Sequence, residues 1–282
     1  VIYAYSGRAY KSTDGGKTFK QIAADLHADH HRIWVDPKNS DHIIDGNDGG
    51  IDVSWDGGKS WYYVTNAVWS EVYQLTYDMR DPYYIYVGLQ DNGSWAGPVN
   101  SLDKKGIMNF HWYPVGGGDG FYAQVDPRDH NVVYRNLQMG NIERYDHKSG
   151  QEQDIIPKAP LDDEPYRFNW NSPIHISPHN PDVVYFGGNF LFKTTDKGHS
   201  WEKVSPDLST NDPEKQKDSG GPISADNTGA EVHCSIFTVA ESPVKQGLIW
   251  AGTDDGNLWV TTDAGKKWTN VIKNIKKLPK DS

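Results

Sequence analysis

The residues of this chain that could do chemistry are scattered in short, glycine-flanked runs. Carboxylates stand at Asp48, Asp119 and Glu231, each beside Gly or Ala or close to one. Around them in type, though not in sequence, stand His30, His31, Glu71, Asp91, Asn92, Arg167, Trp170, His233, Asp254 and Asp255. Two facing carboxylates can act as general acid and base on a glycosidic bond, with separations of about 6.5–9.5 Å for inversion and about 5–5.5 Å for retention. Asp48, Asp119 and Glu231 are the candidates for that role. Asp-Gly is also a common turn dipeptide, so a purely architectural role for Asp48 and Asp119 stands beside the catalytic one. Imidazole and carboxylate together suit a metal, but no H-E-x-x-H or comparable spacing supports one, and neither a metal nor a cofactor is expected. Trp69, Trp95, Trp112 and Trp170 offer flat faces to a sugar ring or to an extended peptide.

Composition narrows the classes. With 282 residues, 28 Lys+Arg against 38 Asp+Glu and a formal net charge of −10, the chain lacks the cationic surface that nucleic acid requires. No apolar run is long enough to span a membrane as a helix. One cysteine, Cys234, precludes an internal disulfide framework, and a small buried hydrophobe just inside a strand is its expected role. The 28 Gly and 16 Pro, with 11 Trp and 16 Tyr, suit many short strands joined by tight turns.

Those strands recur. Pro37, Pro82, Pro127, Pro178 and Pro243 are spaced by 45, 45, 51 and 65 residues, and each is followed by a β-rich run, a Gly/Asn/Asp turn and a second β-rich run. Four times the second run ends in S/T-x-D-x-G-x-x-W/F, at Ser12–Phe19, Ser54–Trp61, Thr194–Trp201 and Thr261–Trp268. In such a turn the carboxylates of Asp14, Asp56, Asp196 and Asp263 accept backbone N–H bonds, the glycine supplies a positive φ, and the aromatic folds back over the turn.

These motifs resemble the Asp box of the bacterial neuraminidase repeat, found in sialidases, family 74 xyloglucanases and sortilin-like propellers. The segments Trp201–Asp212 and Gly229–Cys234 look most like bacterial sortilin-like or "glycosyl hydrolase BNR repeat" proteins. The resemblance implies an all-β fold, a β-propeller of four-stranded blades with the Asp box between the third and fourth strands. Blades are expected at about 30–66, 70–115, 120–158, 168–208 and 231–273, after a partial blade at 1–23, with residues 209–229 as a polar, solvated insertion. Five blades and a remnant read as one propeller within a longer protein. The segments entering the first strands, and those between the second and third, should then share one rim. The resemblance further implies a secreted, periplasmic or cell-surface protein binding a protein or glycan, within a larger assembly, or else a xyloglucanase-like hydrolase. A classical sialidase is disfavoured, since the seven arginines do not supply the expected triad and no F/Y-R-I-P motif occurs.

Because the four turn aspartates serve the fold on this reading, replacing Asp14, Asp56, Asp196 or Asp263 by Ala should lower Tm while leaving function per folded molecule intact. Selective loss of function at unchanged Tm would refute the assignment.

Overall fold

A computed structural model describes residues 1–64, 70–220, 225–226, 228–230, 232–276 and 278. The chain divides into two compact units, residues 1–71 and 72–282. Among the described residues, every sheet is antiparallel.

The first unit holds a three-stranded meander, β1 (Ile2–Tyr5), β2 (Ala9–Ser12) and β3 (Lys20–Ile22). A four-stranded one follows: β4 (His30–Asp36), β5 (Asn39–Asn47), β6 (Gly50–Ser54) and β7 (Tyr62–Tyr63). The second unit holds four such four-stranded sheets. They are β8 (Val72–Tyr77) with β9 (Tyr84–Leu89), β10 (Gly93–Pro98) and β11 (Tyr113–Gly116); β12 (Ala123–Val125) with β13 (Val132–Leu137), β14 (Asn141–Asp146) and β15 (Gln151–Asp154); and β16 (Ile174–Ile176) with β17 (Val184–Gly187), β18 (Leu191–Thr194) and β19 (Glu202–Lys203). After a small pair, β20 (Ser219–Gly220) and β21 (Ala225–Asp226), the last sheet is β22 (Ile236–Glu241), β23 (Ile249–Thr253), β24 (Leu258–Thr261) and β25 (Thr269–Asn270). The segment expected as a plain solvated insertion therefore carries a short ladder of its own.

In the second unit, first strands stand beside first strands: β12 contacts both β8 and β16, and β16 contacts β22. The sheets stack face on face, and strand periodicity supplies both faces. On β13, Val133 joins Tyr86, Ala96, Val115, Ala123 and Val125 on one side, while Val132 and Tyr134 join Ile174, Val184, Phe186 and Phe192 on the other. On β17, Tyr185 turns the opposite way from Val184 and Phe186, into a third core with Ile236, Val239, Ile249 and Ala251. Each fully buried side chain of this size contributes about 1.5–3 kcal/mol.

Three of the motif turns join the third and fourth strands of four-stranded meanders, at β6–β7, β18–β19 and β24–β25, and the other joins β2 to β3, the last two strands of the three-stranded one. Their hydrogen bonds repeat. The hydroxyl at the first position donates to the Asp and accepts from the glycine N–H, as in Ser12–Asp14 at 2.8 Å and Gly16 to Ser12 at 2.9 Å. Asp14, Asp56, Asp196 and Asp263 each accept the backbone N–H four residues on. Hydroxyl and backbone donation from Thr18 holds Asp14 down at about 2, and the Asp56 and Asp196 carboxyls are lowered in the same way by Ser60 and Ser200.

The aromatic, however, does more than cover its own turn. Trp201 donates its indole N–H to Ile155 O at 2.6 Å and Trp268 donates to Val204 O at 2.9 Å, each reaching the end of the preceding sheet. The glycines make the same approach: a Cβ on Gly198 would lie 2.8 Å from Ile155 Cβ, and one on Gly265 would lie 2.3 Å from Val204 O. In its Trp201 and Trp268 copies the motif is thus an inter-sheet fastener as well as a turn.

Gly15 and Gly198 separate these two roles. Both have positive φ, but a Cβ on Gly15 meets nothing within 4 Å. Gly15→Ala should cost only the left-handed penalty of about 1 kcal/mol, whereas Gly198→Ala should cost about 1–3 kcal/mol more from overpacking. Urea denaturation of the two variants provides the comparison, and equal losses would rule out the fastener role.

Candidate functional site

The segments entering the first strands of the second unit run between sheets, so their backbone groups need partners outside a ladder. An Asn or Asp near the ends of β13, β17 and β23 supplies them. Asn136 donates its N–H to Tyr122 O at 3.0 Å and takes the Tyr122 N–H on Oδ1 at 2.9 Å. Asn189 does the same with Arg167, at 2.8 and 3.1 Å, and Asp254 with Ser235, at 3.1 and 3.0 Å. The remaining side-chain atom then reaches further: Asn136 Nδ2 donates to Ser172 O, Asn189 Nδ2 to Asp207, and Asp254 Oδ2 accepts from Asn169 Nδ2.

Between these clasps opens a pocket of about 480 Å³, lined by Tyr73, Phe121, Asn169, Trp170, Asn171, Val232, His233, Phe237 and Asp254 with Ala230. Phe121 is fully buried and lies against Tyr73 at a centroid distance of 4.7 Å. Trp170 is oriented by Asp119, whose Oδ2 accepts the indole N–H at 2.9 Å while Oδ1 accepts the Asp91 N–H at 2.7 Å. Asp119 is itself buried.

The predicted rim residues divide accordingly. Trp170, His233 and Asp254 share this pocket, and Asp119 stands behind it. Asp255 takes the Thr210 N–H and hydroxyl on Oδ2 and the Thr253 hydroxyl on Oδ1. Burial alone would raise its carboxyl, but these bonds outweigh it and hold it below the ordinary range. Asp207, paired with Arg167 at 2.5 Å, is lowered in the same balance by Ser209, Asn189 and Arg167. Asp91 has a left-handed backbone, and the side-chain amide of Asn92 donates to Gln90 O while the Asn92 backbone carbonyl accepts the Trp95 indole N–H. Trp95 is thus held within its own sheet, and Trp112 lies where a Cβ on Gly97 would touch it. Glu231 and Trp69 lie outside the described residues. Cys234, expected inside a strand, instead precedes β22 with φ 78°; it is buried, and burial pushes its thiol up.

In the first unit, His30 is buried against Asp45 at 2.7 Å, whereas its neighbour His31 is exposed and contacts Asp48. Asn47 donates to both Asp45 and Asp52, and burial raises the Asp52 carboxyl. Glu71 is exposed at the end of this unit. Among the described residues no group of three or more His, Cys, Asp or Glu could hold a metal ion, and no helix is long and apolar enough to cross a membrane.

Sequence reasoning missed Phe121 and Phe237 as pocket walls. Phe121 follows Asp119-Gly120 at the entry to β12, and its only signal was an aromatic beside a predicted rim residue.

No family model and no curated protein matches the chain. Among solved structures it is similar to the GH74 xyloglucanase from Xanthomonas campestris, at 16% identity and a TM-score of 0.42, over 91% of this chain and 41% of that one. It is similar also to the computationally designed Ika8 protein, at 13% and 0.40 over 86% and 61%, and to YCF48 bound to D1 peptide, at 13% and 0.36 over 92% and 70%. The chain thus spans less than half the length of the xyloglucanase.

Asp254 accepts four hydrogen bonds, from Cys234 N, Ser235 N, Ser235 Oγ and Asn169 Nδ2. Asp254→Ala strands those donors, and a loss of about 2–4 kcal/mol is expected. Asp254→Asn keeps the shape and should lose less. Chemical denaturation of both variants checks this, and a neutral Asp254→Ala would dismiss the clasp.

Proposed function

We propose that this chain is part of a β-propeller that binds a polymeric ligand, peptide or glycan, in the aromatic pocket of its second unit. The propeller reading is supported by the sheet-by-sheet row of first strands and by the repeated Asp-box-like turns. A secreted or surface setting, and membership of a larger assembly, follow from the resemblance to sortilin-like proteins.

One observation carries the binding role. Tyr73, Phe121, Trp170 and Phe237 converge on a single pocket although they enter it from two different sheets, on β8 and β22, and from the segments before β12 and β16. Its volume falls within the range of about 300–1,000 Å³ usual for ligand sites. Phe237 is 48% exposed, a large apolar side chain left open at the pocket edge.

The hydrolytic alternative draws less support from the same geometry. Both oxygens of Asp119 and of Asp254 already accept N–H or O–H donors of the protein itself, which ties these carboxylates to the loops they secure. Asp48 belongs to the other compact unit.

Peptide and glycan arrays probed with the wild-type chain and with Trp170→Ala and Phe237→Ala test the reading. Binding in at least one array is expected, with a drop of about tenfold or more in each variant, the effect of losing an aromatic anchor. Silence on both arrays, or binding indifferent to both substitutions, would defeat it.

A further inference from the structure

We infer that Asp45 and Asp52 share a single proton in the interior of the first unit, and that this proton is a latch. It holds β5 and β6 together in mildly acidic medium, and its loss loosens them as pH rises. The two aspartates are direct cross-strand partners on β5 and β6, and both are buried, at 0% and 2% exposure. Side chains so placed have Cβ atoms about 4.5–5.5 Å apart, close enough for two carboxyls to meet.

Donors to this pair are too few. Asn47 spreads one amide over both acids, Nδ2 lying 2.9 Å from Asp45 Oδ2 and 3.0 Å from Asp52 Oδ2, while its Oδ1 takes the Gly49 N–H. His30 brings Nδ1 to within 2.7 Å, again of Asp45 Oδ2. Asp45 Oδ1 is buried and has no hydrogen-bond partner among the described residues. A buried acceptor left unpaired is costly, and such atoms call for an explanation.

Charge is as poorly balanced as hydrogen bonding. On β4 and β5, Arg32 and Asp41 are exposed, His31 contacts Asp48 and Asp36 pairs with His42. From β7, Tyr63 stands opposite Asp52 but gives its hydroxyl to Gly49 O at 2.7 Å. In the meander that meets β4 through β1, Tyr3, Tyr5 and Lys20 share a face with Ala9 and Lys11; Lys20 is exposed, and Lys11 gives its ammonium to Gly57 O. The charges acting on Asp52 are those of Asp45 and His30, and burial with the Asp45 charge raises its carboxyl against the Asn47 bond and the His30 charge. One imidazole can balance one buried carboxylate, not two. A proton on Asp52 Oδ1 removes the second charge and supplies an O–H to Asp45 Oδ1. The folded state then binds this proton more tightly than the unfolded chain. The stability it contributes is therefore complete in acid and is lost as pH rises through the folded-state titration of Asp52.

The test follows the aspartate carboxyl carbons of the full chain by NMR, each assigned through its own backbone, and maps amide protection of β5 and β6 by hydrogen exchange. Asp52 should titrate above the value of about 4 of a free aspartate. Protection of β5 and β6, corrected for intrinsic exchange rates, should fall between about pH 4.5 and about pH 8. Asp52→Asn, whose amide replaces the proton as donor to Asp45 Oδ1, should keep its protection across that range. An equal fall in wild type and Asp52→Asn assigns the pH dependence to His30 and overturns the inference. Titration of Asp52 at or below about 4 overturns it as well, since a buried water would then be the donor to Asp45. If Asp52→Asn does not fold, the carboxyl titration of the wild-type chain decides by itself.

Discussion

The structure of the second unit depends on one reciprocal interaction, the exchange between the polar residue at the end of a second strand and the segment that enters the first. A sheet stack of this kind forces the chain to cross from the outer strand of one sheet to the first strand of the next, and that crossing has no ladder to satisfy its backbone. Asn136, Asn189 and Asp254 solve the problem alike, each giving an N–H to and taking an N–H from a single residue of the entering segment. Their third hydrogen bond is what joins one segment to another. Asn136 reaches Ser172 before β16, and Asp254 reaches Asn169 in that same segment, so residues 169–172 are held from both sides.

The pocket is a consequence of that arrangement. Trp170 and Asn171 lie inside the doubly held segment, and Asp119 adds a further hold on the indole. Their side chains are positioned by bonds made to their neighbours, which leaves the pocket walls themselves free to be apolar. A site fixed in this way needs little reorganisation on binding, and preorganisation is the larger part of what distinguishes a tight interface from a merely large one.

How far the sequence could reveal this depends on distance along the chain. The motif turns were legible because their hydrogen bonds close within four residues and recur four times, so Asp14, Asp56, Asp196 and Asp263 carried their role in the spacing itself. The clasps were not, because their partners lie 14, 22 and 19 residues away and use the same Asn and Asp that a binding rim would use. His30 and His31 show the limit sharply. As neighbours on β4 they face opposite sides, and only the sheet's packing makes one a buried partner of Asp45 and leaves the other in solvent. Likewise Trp95, Trp112 and Trp170 are equivalent as residue types, yet only the last reaches the pocket.

The same accounting bears on whether proton transfer belongs to this rim. A general acid at neutral pH needs a carboxyl raised by poor solvation, with few donors to hold its charge. Around the rim of the second unit the opposite balance holds: Asp207 and Asp255 are substantially desolvated, yet the N–H and O–H groups around them bring both below the ordinary range. Among the described residues the carboxyl that burial does raise is Asp52, in the first unit, where it shares the Asn47 amide with Asp45 beside His30 in an interior network. Donors placed to secure loops also fix the charge state of the acids they secure. In the second unit the bonds that secure Asp207 and Asp255 therefore keep both carboxyls charged to lower pH than free acids would be.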